Sequence, residues 1–73
     1  MTKIIEISNR SDMAYRIRKR GFYYLADWVR WNDRFGCWES LGHVGSSFDG
    51  YKTEANAMKG INRYAESLGH EIA

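Results

Sequence analysis

Arg16, Arg18, Lys19 and Arg20 place four cations within five positions. On an extended chain alternate residues share a face, so Arg16 and Arg18 point the same way and Arg20 continues the row around a turn. Arg30 and Arg34 return to this neighbourhood if the chain folds back on itself, and Tyr24 and Trp28 lie between the two groups. Guanidinium groups pair with phosphates and carboxylates, and rings stack on unpaired bases or fill the desolvated centre of a protein interface. Arg16, Arg18, Arg20, Tyr24, Trp28, Arg30 and Arg34 are therefore the candidate partner-binding residues. Three readings follow: an arginine-rich protein interface, a nucleic-acid surface, and a solvated sheet edge whose charges block aggregation.

Catalytic chemistry has less to build on. His43 and His70 are 27 positions apart, and His70 falls on a C-terminal tail. Cys37 sits in an aromatic stretch, where a buried thiol is expected to serve packing. Asp27, Asp33, Glu39 and Asp49 are too dispersed to suggest an acid–base pair. Asp27 lies among aromatics, and a salt bridge to a neighbouring arginine is the expected reason. A single cysteine excludes an internal disulfide and a cysteine-rich metal cage, and no His/Cys/Asp/Glu spacing matches a metal site. The segment Gly42-His43-Val44-Gly45-Ser46-Ser47 has glycines and hydroxyls suited to a phosphate, but it lacks the P-loop lysine. It is expected to be a mobile connector. The chemistry thus points to binding without catalysis, with no cofactor.

The elements that must position these residues are legible from periodicity. Met13, Tyr15 and Ile17 alternate with Ala14, Arg16 and Arg18, a half-buried strand pattern. Lys19-Arg20-Gly21 is expected to be a short hairpin loop. Residues 22–31 are rich in aromatic and branched side chains and read as a second strand. Leu25, Trp28 and Val29 also fit a helical period, but the flanking turns favour a meander. Asn32-Asp33-Arg34-Phe35-Gly36 is a turn, and residues 37–41 a further strand. Lys3-Ile4-Ile5-Glu6-Ile7 is expected to be an additional edge strand, with residues 8–12 as its turn. The two faces of 22–31 are Phe22, Tyr24, Ala26, Trp28, Arg30 and Tyr23, Leu25, Asp27, Val29, Trp31. Both are apolar, and a single helix covers one of them. The other is then an exposed aromatic patch, a buried interface, or rings wrapped into the core.

That helix is predicted over 54–68. Thr53 is a suitable N-cap with Glu54 in the first turn. Ala57, Ile61, Tyr64, Ala65 and Leu68 recur at helical spacing, and Gly69 stands where a terminal glycine ends a helix. Gly60 in the middle costs about 1 kcal/mol relative to alanine, and close approach of the helix to a sheet would explain it. The expected fold class is α+β: an antiparallel three- to four-stranded meander with one C-terminal helix packed on one face.

Length and composition agree. Seventy-three residues make one domain, 1–73, with a core dependent on its three Trp, five Tyr and three Phe. The lack of proline and ordinary charge content argue against disorder. The net charge of +2 is uneven, because residues 1–36 carry eight basic and four acidic side chains, and residues 37–73 three and five. An anionic partner on the N-terminal half is the expectation. No window approaches the ~20 apolar residues of a membrane span, and neither a secretory signal nor disulfides are visible. These features lead to the expectation of a cytoplasmic protein.

The run Gly50-Tyr51-Lys52-Thr53-Glu54-Ala55-Asn56-Ala57-Met58-Lys59-Gly60-Ile61 resembles the strand-to-helix junction of YegP-like small bacterial domains. The layout is also similar to short phage-encoded anti-CRISPR and other anti-defence proteins. The chain departs from the YegP-like pattern in its longer glycine- and serine-rich segment at 42–50. The resemblance implies an aromatic hairpin in front of a helix. It further implies a phage or prophage accessory protein that blocks a host defence nuclease or nucleoprotein complex sterically, in the host cytoplasm. Nucleic-acid binding by the same basic, aromatic surface is the alternative, and a homodimer through it a third.

Overall fold

The computed structural model describes residues 2–44 and 50–73. Four strands, β1 (Thr2–Ile7), β2 (Arg10–Arg20), β3 (Tyr23–Asn32) and β4 (Cys37–His43), form one antiparallel sheet in chain order. One helix, α1 (Glu54–Leu68), follows. This is the α+β meander expected from periodicity, with the N-terminal segment as a full fourth strand. Residues 45–47 of the expected mobile connector, with 48–49 after it, lie outside the described residues. Its first part behaves differently from that expectation: Gly42 and His43 belong to β4, and Val44 is buried, with its amide bonded to the Ala26 carbonyl at 2.9 Å.

The β2–β3 turn fixes the register that matters most. Lys19 and Arg20, expected in a three-residue loop, instead complete β2. The turn is Gly21–Phe22, with Arg20 paired to Tyr23. Gly21 has φ 62°, the left-handed conformation that the first position of a type II′ hairpin turn requires. Pairing then runs Arg18 to Leu25, Arg16 to Asp27 and Ala14 to Val29. On the β3–β4 side the register shifts between Trp28 and Val29. Leu41 falls between their respective partners, Gly42 and Ser40. The Ser8–Asp12 turn is also shorter than expected, since β2 already begins at Arg10.

The helix begins where Thr53 caps it, its hydroxyl accepting from the Asn56 amide at 3.1 Å. It ends in a Schellman arrangement: the Gly69 amide donates to Glu66 and the His70 amide to Ala65. Ala57, Ile61 and Ala65 are buried against Ile5, Ile7, Tyr15, Ile17, Ala26 and Val44. Leu68, expected on the apolar stripe, is 46% exposed at the rim. Small side chains on the helix and at Ala26 let the two layers approach closely. Gly60 serves the same end, because a Cβ there would lie 2.7 Å from Tyr51 Cζ. Tyr51 is itself pinned, exchanging two 2.7 Å backbone bonds with Tyr24 along the edge of β3. On the opposite edge the tail returns to β1, where Ile72 bridges Ile7 and the Ala73 amide donates to Glu6. Among the described residues no helix is long and apolar enough to cross a membrane.

Candidate functional site

Strand alternation sorts the sheet into two faces. Met13, Tyr15 and Ile17 of β2, with Tyr24, Ala26 and Trp28 of β3, lie on the helix side. Arg16, Arg18 and Arg20, with Tyr23, Leu25, Asp27, Val29 and Trp31, lie on the other. Trp38, Ser40 and His43 of β4 join this second face through their partners Trp31, Val29 and Asp27. Among the described residues no strand or helix packs on it, although Gly50 lies close to Leu25 and Tyr23, and Ala14, Asp27 and Val29 are fully buried beneath its longer side chains. This open face is the candidate site.

Its centre is Asp27, whose side chain is 1% exposed. Arg16 Nη2 lies 2.9 Å and Arg18 Nη2 2.8 Å from the same oxygen, Oδ2. His43 Nδ1 is 3.6 Å from Oδ1, which accepts no hydrogen bond. The cross-strand pairing of Arg16 with Asp27 makes one contact, and Arg18, two residues along the same strand, reaches back for the other. A buried carboxylate requires such partners, since an isolated one would carry a large desolvation penalty. The salt bridge expected for Asp27 is therefore present, with two arginines rather than one. Two guanidinium groups share one carboxylate, which among the described residues leaves a local excess of one positive charge. Arg16 is held at 15% side-chain exposure, whereas Arg18 keeps 43%. The Nε atoms of both are buried without a hydrogen-bond partner.

Around this cluster stand rings. Trp31 and Trp38 pack edge to face with centroids 5.2 Å apart. Trp31 is 40% exposed, Tyr23 45% and Leu41 42%. Beyond the Trp pair a groove of about 570 Å³ is lined by Glu6, Ser8, Arg10 and Ser11 with both indoles. Arg10 lies 3.4 Å from Asp12 and holds that carboxyl below its ordinary pKa, its hydrogen bond being the main cause.

The seven residues selected from sequence do not form one surface. Arg16, Arg18 and Arg20 are together on the open face. Tyr24 and Trp28 are on the helix side, packed against the core, because each alternates with Asp27 and its neighbours. Trp28 stacks at an angle on Tyr64 and His70, and Lys19 sits 5.9 Å above the Tyr24 ring. Arg30 is directed away from the cluster to Glu39 at 3.7 Å, and Arg34 lies in the β3–β4 turn. The rings that accompany the arginines are Tyr23, Trp31 and Trp38; none is among the seven candidates, although Tyr23 and Trp31 stand on one of the two strand faces expected to be exposed. The signal was available: a II′ turn at Gly21–Phe22 fixes Arg16 opposite Asp27, which puts odd-numbered β3 residues beside the arginines.

Two further expectations are corrected. Cys37 is exposed, since it opens β4 at the hairpin end instead of lying under the helix. His70 is not a loose tail residue: its Nδ1 lies 2.7 Å from the hydroxyl of Tyr15, a fully buried ring. Among the described residues no group of three His, Cys, Asp or Glu is placed to hold a metal ion. Comparison with protein-family models, with curated proteins and with solved structures finds no match to this chain.

Proposed function

We propose that this chain is a small protein-binding module that acts by occupying its partner's surface, with no catalytic step, and that the open sheet face makes the contact. One observation carries this reading. The face opposite the helix combines a buried carboxylate, two guanidinium groups anchored on it, and the exposed rings Tyr23 and Trp31. Tyr, Trp and Arg are the side chains that dominate interface energetics, and pre-anchored arginines lose less freedom on binding. The excess of positive charge among the described residues favours an anionic patch on the partner. In the finer reading the partner is a host defence nuclease or nucleoprotein complex and the chain a phage or prophage accessory protein in the host cytoplasm. The resemblance of residues 50–61 supports that part. Steric blockade predicts inhibition that titrates to one equivalent; inhibition at strongly substoichiometric amounts would refute it.

Nucleic-acid binding through the same face is the second reading, favoured by the placement of arginines and rings on one surface. It predicts affinity that falls steeply as salt rises, and salt-insensitive binding would exclude it. A homodimer through this face predicts sedimentation that changes with concentration.

A further inference from the structure

Among the described residues, the charges around Asp27 do not balance. Arg16 and Arg18 both direct an Nη2 to one oxygen of that carboxylate. Neither forms an ion pair with another carboxylate among the described residues. Arg16 is mostly buried, so much of the unmatched charge sits where water compensates it poorly. Arg18 is the exposed member, with donors beyond those that face Asp27. Its cross-strand partner is Leu25, and the next pair along this face is Arg20 with Tyr23.

We infer that Arg18, held in place by Asp27 and backed by Arg16, is the receptor for a single carboxylate from an acidic segment of the partner protein. The excess of one charge among the described residues matches one carboxylate. The guanidinium fork pairs with a carboxylate through two parallel hydrogen bonds. Leu25 and Tyr23 suit the stem and neighbours of an acidic side chain better than a strongly hydrated phosphate dianion. Asp27 acts as a positioning residue: it keeps the cation from folding onto solvent and leaves its outer edge available. This inference rests on the proposed function and names the chemistry at the charged end of that face.

The probe is hexaglutamate, titrated at constant ionic strength into the 15N-labelled protein, with the arginine Nε–Hε resonances as readout. Saturable movement of the Arg18 and Arg16 signals is expected. Arg18→Gln should weaken the apparent affinity by about tenfold, the loss of a charge-assisted hydrogen-bond pair. Arg34→Gln, in the distant turn, should change it by less than about twofold. Wild-type arginine resonances that do not move, or equal affinity in Arg18→Gln, would overturn the inference. So would inorganic phosphate saturating the same resonances at lower concentration than the peptide. If hexaglutamate fails while a captured protein partner is still lost on Trp31→Ala, the open-face reading survives and the carboxylate receptor alone is wrong.

Discussion

Replacing Asp27 by alanine removes the only carboxylate within ion-pair distance of Arg16 and Arg18 among the described residues. The two arginines respond differently. Arg16, at 15% side-chain exposure, is left as a mostly buried charge without its counterion, a change that costs about 3–5 kcal/mol. Arg18, at 43%, rehydrates, and its share is under about 1 kcal/mol. A 73-residue domain has a total stability of roughly 4–11 kcal/mol at the usual 0.05–0.15 per residue. Asp27→Ala should therefore remove a large fraction of it. In urea, with a slope near 1 kcal/mol per molar for so small a chain, the midpoint should fall by about 3–5 M or the protein should be unfolded at the outset. The double replacement Arg16→Met with Asp27→Leu provides the control, because exchanging a buried pair for apolar side chains is close to neutral. It should be more stable than Asp27→Ala alone. A single variant within about 1 kcal/mol of wild type, or a double variant less stable than it, would refute the view that Asp27 anchors this face.

Three further predictions concern the helix side. Gly60→Ala should destabilise by about 1–2 kcal/mol despite the better helix propensity of alanine, since the new Cβ meets a Tyr51 ring fixed by its bridge to Tyr24. Combining it with Tyr51→Leu should make the alanine the better residue, as read by thermal melts of the four-variant cycle. Tyr15 is held in its protonated form, first by burial and then by Tyr64 beside it, with its pKa pushed up to about 12 from 10. Because the folded value is the higher one, its stabilisation is complete below pH 10 and disappears as pH rises towards about 12. Tyr15→Phe should have a flatter stability profile over that interval, and an unchanged slope would contradict the assignment. Thr53→Ala should cost about 1 kcal/mol by removing the cap on the Asn56 amide, measurable by urea denaturation.

The elements were legible because their signals are local. Alternation at 13–18, the glycines at the turns and the capped stripe at 54–68 each point to one structure, and the helix bounds agree with Glu54–Leu68. Which face of β3 the helix would cover was not local. Both faces of residues 22–31 are apolar, so hydrophobicity does not choose between them, and the choice of Tyr24 and Trp28 as contact residues fell on the covered one. The choice depended on where the β2–β3 turn sits. With Gly21–Phe22 as the turn, Arg16 pairs with Asp27; Ile17 and Ala26 face the helix, and the arginines face away. Cys37 and His70 were misplaced for a related reason. Their environments are set by contacts distant in sequence, such as the 55-residue separation between Tyr15 and His70. The composition of the candidate face could be anticipated as arginines with rings, but the identity of the rings could not without the register.

The most direct test of the account is capture from a bacterial lysate by immobilised protein, with and without nuclease, comparing two variants with the wild type. One carries Arg18→Gln and Trp31→Ala on the open face; the other carries Lys59→Gln and Arg63→Gln, on exposed positions of the helix. A discrete protein that survives nuclease, is lost from the open-face variant and is retained by the helix variant is the predicted result. A protein retained by the open-face variant, or material that disappears with nuclease, would contradict the claim that this face is a protein-binding surface.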